Sequence, residues 1–242
     1  MATGIVKFAA PIAGLQFRPT EVSNPHPAVE KIVLEAQDEW INIEVHLADI
    51  FNFEDEEGIA NSLLPPIVNR LAFYCNVPVG EPHFRGATLP KDASGSSYTV
   101  RGDVLLMWDH AVPVLTLGED TRQDLAHILE QPYTHHDLYS AYRFAGNLSD
   151  PVARFMFLYN ILLQLNDDNQ TQVDAFIRTE MPSVPLSPRP DRRKIVETIY
   201  TRLRNEVSHR RPGITPEQTR KEIQANVAPF QELVRTAISR AV

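Results

Sequence analysis

The chain has 242 residues, 43% of them hydrophobic and 22% charged, enough for one large domain or two smaller ones with a real core. No run of about 18 apolar residues occurs, and the opening "MATGIVKFAAPIAG" lacks the charged start and long apolar stretch of a secretory leader, so a cytoplasmic protein is expected. A net charge of −8 by itself argues against nucleic acid as a partner, and the single cysteine, Cys75, excludes an internal disulfide and, with no Cys/His cluster near it, a zinc site. Cys75 is expected to be buried and inert.

In chain order, the first 120 residues read mostly as strands. "GIVKFA" is followed by "EKIVLEA" and by "WINIEVHL", where Ile41, Ile43, Val45 and Leu47 alternate with polar residues at the period of a half-buried strand. The last two are expected to pair as a hairpin across "QDE". "EDEE", residues 54 to 57, reads as a solvated lead-in to the helix "GIANSLLPPIVNRLAFYCNV", which starts at or kinks around Pro65-Pro66. "YTVRGDVLLMW" and "VPVLTL" are further strand candidates, with "DASGSS" a loop before them. Residues 1–120 are therefore expected to form an α+β domain.

Residues 121–242 change to a helical period and read as an all-helical, up-and-down bundle. After "RQDLAHILEQ" and "HHDLYSAYRFAG", Asp150-Pro151 supplies an N-cap with proline at the first helical position and opens "VARFMFLYNILLQL". "QTQVDAFIRTE" comes next, then a stiff extended connection, "MPSVPLSPRPD". "RKIVETIYTRLRNEVSH" reads as one helix stopped by Pro212-Gly213. Thr215 and Gln218 are spaced for a capping box before the last helix, "KEIQANVAPFQELVRTAI", with a bend expected at Pro229.

Charge is unevenly spread. Residues 189 to 211 hold eight basic groups against three acids, a net +5 on a remainder of −13. Arg192, Arg193, Arg202, Arg210 and Arg211 are candidate contacts to a phosphate backbone, which the acidic remainder would keep from being indiscriminate. A solvated helix face reads the same way. On a helical wheel Ile199, Leu203 and Val207, with Val196 and Tyr200, form the core stripe, while Arg204 and His209 flank the polar face and Asn205 lies one turn below His209. Between the flanks lie Thr198, Thr201 and Ser208. Small side chains permit close approach, so this strip is expected to be a dimer interface at which Arg204 of one copy meets His209 of another.

Arginine neutralises phosphate with a planar, permanently charged fork, histidine exchanges a proton near neutral pH, and asparagine can orient either. Together Arg204, Asn205 and His209 suffice as catalytic residues for cleaving RNA without a metal or other cofactor. His209 would handle the proton of the attacking 2′-hydroxyl or of the leaving oxygen, and Arg204 would stabilise charge on the phosphorane. Cations in the last turn of a helix are also favoured by about 0.3–1 kcal/mol through its dipole, with nothing catalysed.

The stretch "YTRLRNEVSH" resembles the Arg-Asn-x3-His form of the signature of the HEPN superfamily. "DPVARFMFLYNILLQL" is similar to the long helix that packs against the motif helix, especially in the Apea-like branch. The resemblance covers about residues 134–242, and more loosely the whole layout resembles the methylamine-utilisation J proteins. It implies a HEPN-like bundle of four to five helices, a homodimer, and often metal-independent endoribonuclease activity in toxin or phage-defence settings, with Arg204, Asn205 and His209 in the site. Many members of the superfamily are noncatalytic. A dimerisation and binding module for RNA or a nucleotide therefore stands as the alternative, and a protein-interaction protein as a second.

Other constellations are weaker. His135, His136 and Asp137 could suggest a metal, but adjacent histidines point about 100° apart on a helix and no third ligand occurs at helical spacing beyond them. Asp109 and His110 fall on opposite faces of a strand. No Walker-type, Gly-x-Ser-x-Gly or Gly-x-Gly-x-x-Gly loop occurs.

Overall fold

A computed structural model describes residues 3–48, 53–88, 99–101, 114–188, 196–209 and 211–241. The chain divides into two compact units, 1–143 and 144–242, so the expected boundary near residue 120 moves into a helix further on.

The first unit is an α+β sheet domain. Its elements are β1 (Thr3–Pro11), β2 (Leu15–Val22), β3 (Val29–Gln37), β4 (Trp40–Ala48), α1 (Phe53–Cys75), β5 (His83–Thr88), β6 (Thr99–Arg101), β7 (Leu115–Thr116), α2 (Glu119–Glu130) and α3 (His136–Asn147), the last crossing the division. The sheet order is β6-β5-β1-β4-β3-β2-β7, antiparallel except for the parallel β2–β7 pair. Ile41, Ile43, Val45 and Leu47 of β4 are fully buried. Burying each such side chain contributes about 1.5–3 kcal/mol, which fixes the register because a slip by one residue would expose all four.

The expected hairpin is present. Gln37 pairs with Trp40, and both residues between them, Asp38 and Glu39, have positive φ, as a two-residue turn that matches the strand twist requires. Strand β2 has no counterpart among the expected elements. Its register shifts between Phe17 and Thr20, the stretch that holds Pro19, and a bulge is where a strand tolerates proline. Helix α1 runs through Pro65 and Pro66 without a break.

Two arginines explain why α2 and most of α3 belong with the sheet. Arg70 of α1 is buried and donates to the carbonyls of Ile128, Leu129 and Gln131, where α2 ends and its last carbonyls lack a full set of helical partners. Arg143 of α3 donates to Asn69 Oδ1 at 2.6 Å and to the carbonyls of Val79 and Gly80. Two expectations fail here. Cys75 is half-buried rather than enclosed, and Glu56, inside the acidic lead-in, is completely buried with neither carboxylate oxygen hydrogen-bonded among the described residues. Burial pushes its carboxyl up to about 7.

The second unit holds α4 (Pro151–Leu165), α5 (Gln170–Glu180), β8 (Leu186–Pro188), β9 (Val196–Thr198), α6 (Ile199–Ser208) and α7 (Pro216–Ala241). It is not all-helical, because β8 and β9 pair antiparallel. The expected caps are made. Asp150 accepts from the N–H groups of Val152 and Ala153, each at 2.9 Å, and Gln218 Oε1 accepts from Thr215 N–H while Thr215 Oγ1 accepts from Gln218 N–H. Helix α7 runs through Pro229. The core is aromatic: Phe230 of α7 stacks on Tyr200 of α6 at 4.5 Å and packs on Phe155 of α4 at 4.8 Å. Among the described residues no helix is long and apolar enough to cross a membrane.

Candidate functional site

The motif helix is shorter than its sequence pattern suggests. Residues 196 to 198 form β9, and α6 starts only at Ile199, because Thr198 is its N-cap and accepts from Thr201 N–H at 3.3 Å. At the other end His209 is the C-cap. Its N–H donates to the Asn205 carbonyl at 2.8 Å, and its backbone is extended, so a helical wheel does not place its side chain.

The small polar strip faces inward. Thr198 and Thr201 are enclosed within the protomer, and Asn205 is nearly so, whereas Val196 and Val207 of the expected core stripe are exposed. The inversion has a hydrogen-bonding cause: α4 and α5 present polar groups that match the strip. Tyr159 of α4 shares a hydrogen bond with Thr201 Oγ1 at 2.8 Å, Asp174 of α5 accepts from Thr198 N–H at 3.0 Å, and Gln170 of α5 donates to Asn205 Oδ1 at 3.0 Å. Burial holds the Tyr159 hydroxyl above its ordinary range, in its neutral form. Thr198 and Thr201 therefore cannot form an interface between copies. Ser208 remains exposed.

The basic residues differ in what faces them. Arg202 pairs with Glu206 at 2.8 Å and also with Glu222. Arg211 Nη2 lies 2.7 Å from Glu197 Oε1, an ion pair that is not aligned as a hydrogen bond. Both charges are spent inside the protomer, which removes Arg202 and Arg211 as simple phosphate contacts. Arg192, Arg193 and Arg210 lie outside the described residues, as do Asp109 and His110.

Arg204 is different. Its Nη1 donates to Asn205 Oδ1 at 3.2 Å, its guanidinium lies 6.0 Å from the centre of the Tyr159 ring, and its Nε is buried with no hydrogen-bond partner among the described residues. Among the described residues no carboxylate pairs with it. A half-buried cation with no counter-ion among the described residues, held from one side by an amide, can bind an anion.

His209 is exposed and looks elsewhere, lining a cleft of about 600 Å³ with Asp150, Val152, Val207 and Arg220. Arg204 does not line that cleft. Within one protomer Arg204 and Asn205 are hydrogen-bonded, and His209 lines a cleft that Arg204 does not. Among the described residues no group of three His, Cys, Asp or Glu side chains is placed to hold a metal ion. His136 and Asp137 pair with each other at the exposed start of α3.

Sequence reasoning missed Glu197, Gln170, Asp174 and Tyr159. Glu197 had a visible signal as an acid inside a basic run. The other three come from helices remote in sequence and had none. No family model, curated protein or solved structure matches the chain.

Proposed function

We propose that the helical unit is a HEPN-type, metal-independent endoribonuclease that acts as a homodimer in the cytoplasm, with the sheet unit as its sensor or regulator. The observation that carries this reading is the guanidinium of Arg204, which no carboxylate among the described residues pairs with, in a segment where the neighbouring arginines Arg202 and Arg211 are each neutralised. Arg204 holds the scissile phosphate, and Asn205, itself fixed by Gln170, orients it. His209 of a second copy supplies the proton chemistry, because Arg204 does not line the cleft onto which His209 of the same protomer opens. His209 takes the proton of the 2′-hydroxyl, the 2′-oxygen attacks phosphorus, and the bond to the 5′-oxygen breaks as that oxygen regains a proton. The products are a 2′,3′-cyclic phosphate and a 5′-hydroxyl. DNA lacks the nucleophile and is spared.

The neutralised arginines favour a second reading, a noncatalytic dimerisation and RNA-binding module, because few cations remain to hold RNA in register. Incubating the protein with mixed RNA in chelator separates the two. Cleavage that leaves 5′-hydroxyl ends, and is lost with Arg204→Ala, is the expected result. Binding without cleavage across a broad RNA panel selects the second reading, and cleavage that needs magnesium and leaves 5′-phosphates excludes the first.

A further inference from the structure

We infer that Glu197 is a positioning residue for His209, acting as a clamp on the chain to either side of it. The inference takes its catalytic consequence from the reading of His209 as the proton carrier, but its geometry stands without that reading. Glu197 lies on β9, just ahead of the motif helix, and is fully buried. Its two oxygens are used in two directions. Oε2 accepts from Asn205 Nδ2 at 3.1 Å, and Oε1 faces Arg211 Nη2 at 2.7 Å. Asn205 precedes His209 by four residues, and its carbonyl accepts the His209 N–H. Arg211 lies two residues beyond His209. One carboxylate therefore ties down both the helix that ends at His209 and the chain that leaves it.

His209 needs such a tie. It is the C-cap of α6, with extended backbone and an exposed side chain, so the helix ladder does not fix the chain beyond it. A buried carboxylate is costly unless paired, and Glu197 draws its pairing from both flanks of His209, so loosening either flank leaves the carboxylate short of a partner. The clamp also accounts for Asn205, whose amide nitrogen donates to Glu197 while its carbonyl oxygen accepts from Gln170 and Arg204. The same side chain thus couples the Arg204 contact to the Glu197 clamp.

The test uses Glu197→Gln and Arg211→Met in the full chain, with folding checked by circular dichroism. Two readouts are taken: turnover on RNA, and the His209 imidazole proton resonances, assigned with His209→Ala. Glu197→Gln keeps an acceptor for Asn205 but removes the charge that holds Arg211. Both variants are expected to shift or broaden the His209 signals alike. Each should lower kcat by about 10- to 100-fold with KM changed little, the pattern of a misplaced group rather than a lost contact. The double variant should be no worse than either single one, because both break the same tie. Should Glu197→Gln fail to fold, Arg211→Met carries the test alone. His209 signals that match the wild type in the folded variants overturn the clamp, whatever the activity. A wild type that cleaves no RNA overturns the nuclease reading, and the His209 signals then decide the clamp by themselves.

Discussion

Arg204 and Glu56 are each half of an ion pair whose other half is missing among the described residues, and the two have opposite consequences. On the proposed nuclease reading, removing the Arg204 guanidinium takes away the charge that would stabilise a developing phosphorane, so Arg204→Ala should lower kcat on RNA by about 100- to 1,000-fold. Lysine at this position keeps the charge but loses the planar fork, and should recover only part of it. Arg202→Met should behave in the reverse way. Its charge is spent on Glu206, a side chain only 1% exposed, so turnover should change little while stability falls by about 3 kcal/mol in urea melts. Glu56 instead makes folding depend on pH. The folded protein holds its proton up to about pH 7, whereas the ordinary value is 4.5. Below pH 4.5 both states are protonated and nothing is lost. As pH rises from 4.5 to 7 the unfolded state sheds the proton first, so stability declines by on the order of 3 kcal/mol and then levels off. Urea midpoints at pH 4.5 and pH 8 check this, and Glu56→Leu should remove that part of the decline.

At the scale of elements, the β3–β4 turn places Asp38 and Glu39 in the left-handed region, where a side chain on Glu39 is strained. Glu39→Gly should relieve that strain and stabilise the protein by about 0.5–1 kcal/mol after the entropy lost by glycine, read as a raised melting temperature. The hairpin, the strand alternation of β4 and the caps at Asp150 and Thr215 were legible in the sequence because each is set by residues only a few positions apart. Strand β2 was not legible. Its alternation breaks at Pro19, and its identity comes from pairing with β3 and β7. The motif helix was misread for a related reason. The pattern "RKIVETIYTRLRNEVSH" is apolar at helical spacing throughout, but Thr198 caps the helix only at residue 198, and Val196 through Thr198 pair with β8 instead. The inward turn of Thr198, Thr201 and Asn205 was invisible for a third reason. Small polar residues suit either a helix interface or an internal hydrogen-bond network, and the partners that decide, Tyr159, Gln170 and Asp174, lie on α4 and α5.

At the scale of the whole molecule, the proposed site needs two copies. Arg204 lies against the Tyr159 ring of α4 and donates to Asn205, while His209 opens onto the cleft beside Asp150 and Arg220. With Thr198 and Thr201 enclosed, the second copy is expected to approach through the exposed end of α6, where Val207, Ser208 and His209 lie. A two-fold axis there would build two identical sites, each with Arg204 from one copy and His209 from the other. The wild type should therefore show a concentration-dependent dimer mass, and an acidic residue at Val207 should weaken it. The most direct measurement mixes two inactive proteins, Arg204→Ala and His209→Ala, after dissociation and reassociation, and tracks RNA cleavage in chelator. Random reassociation makes half of the dimers mixed, each with one intact site, so the mixture should regain about a quarter of wild-type cleavage while neither variant cleaves alone. Mixed dimers that form and recover no activity, or cleavage by either variant by itself, would contradict the shared Arg204–His209 site.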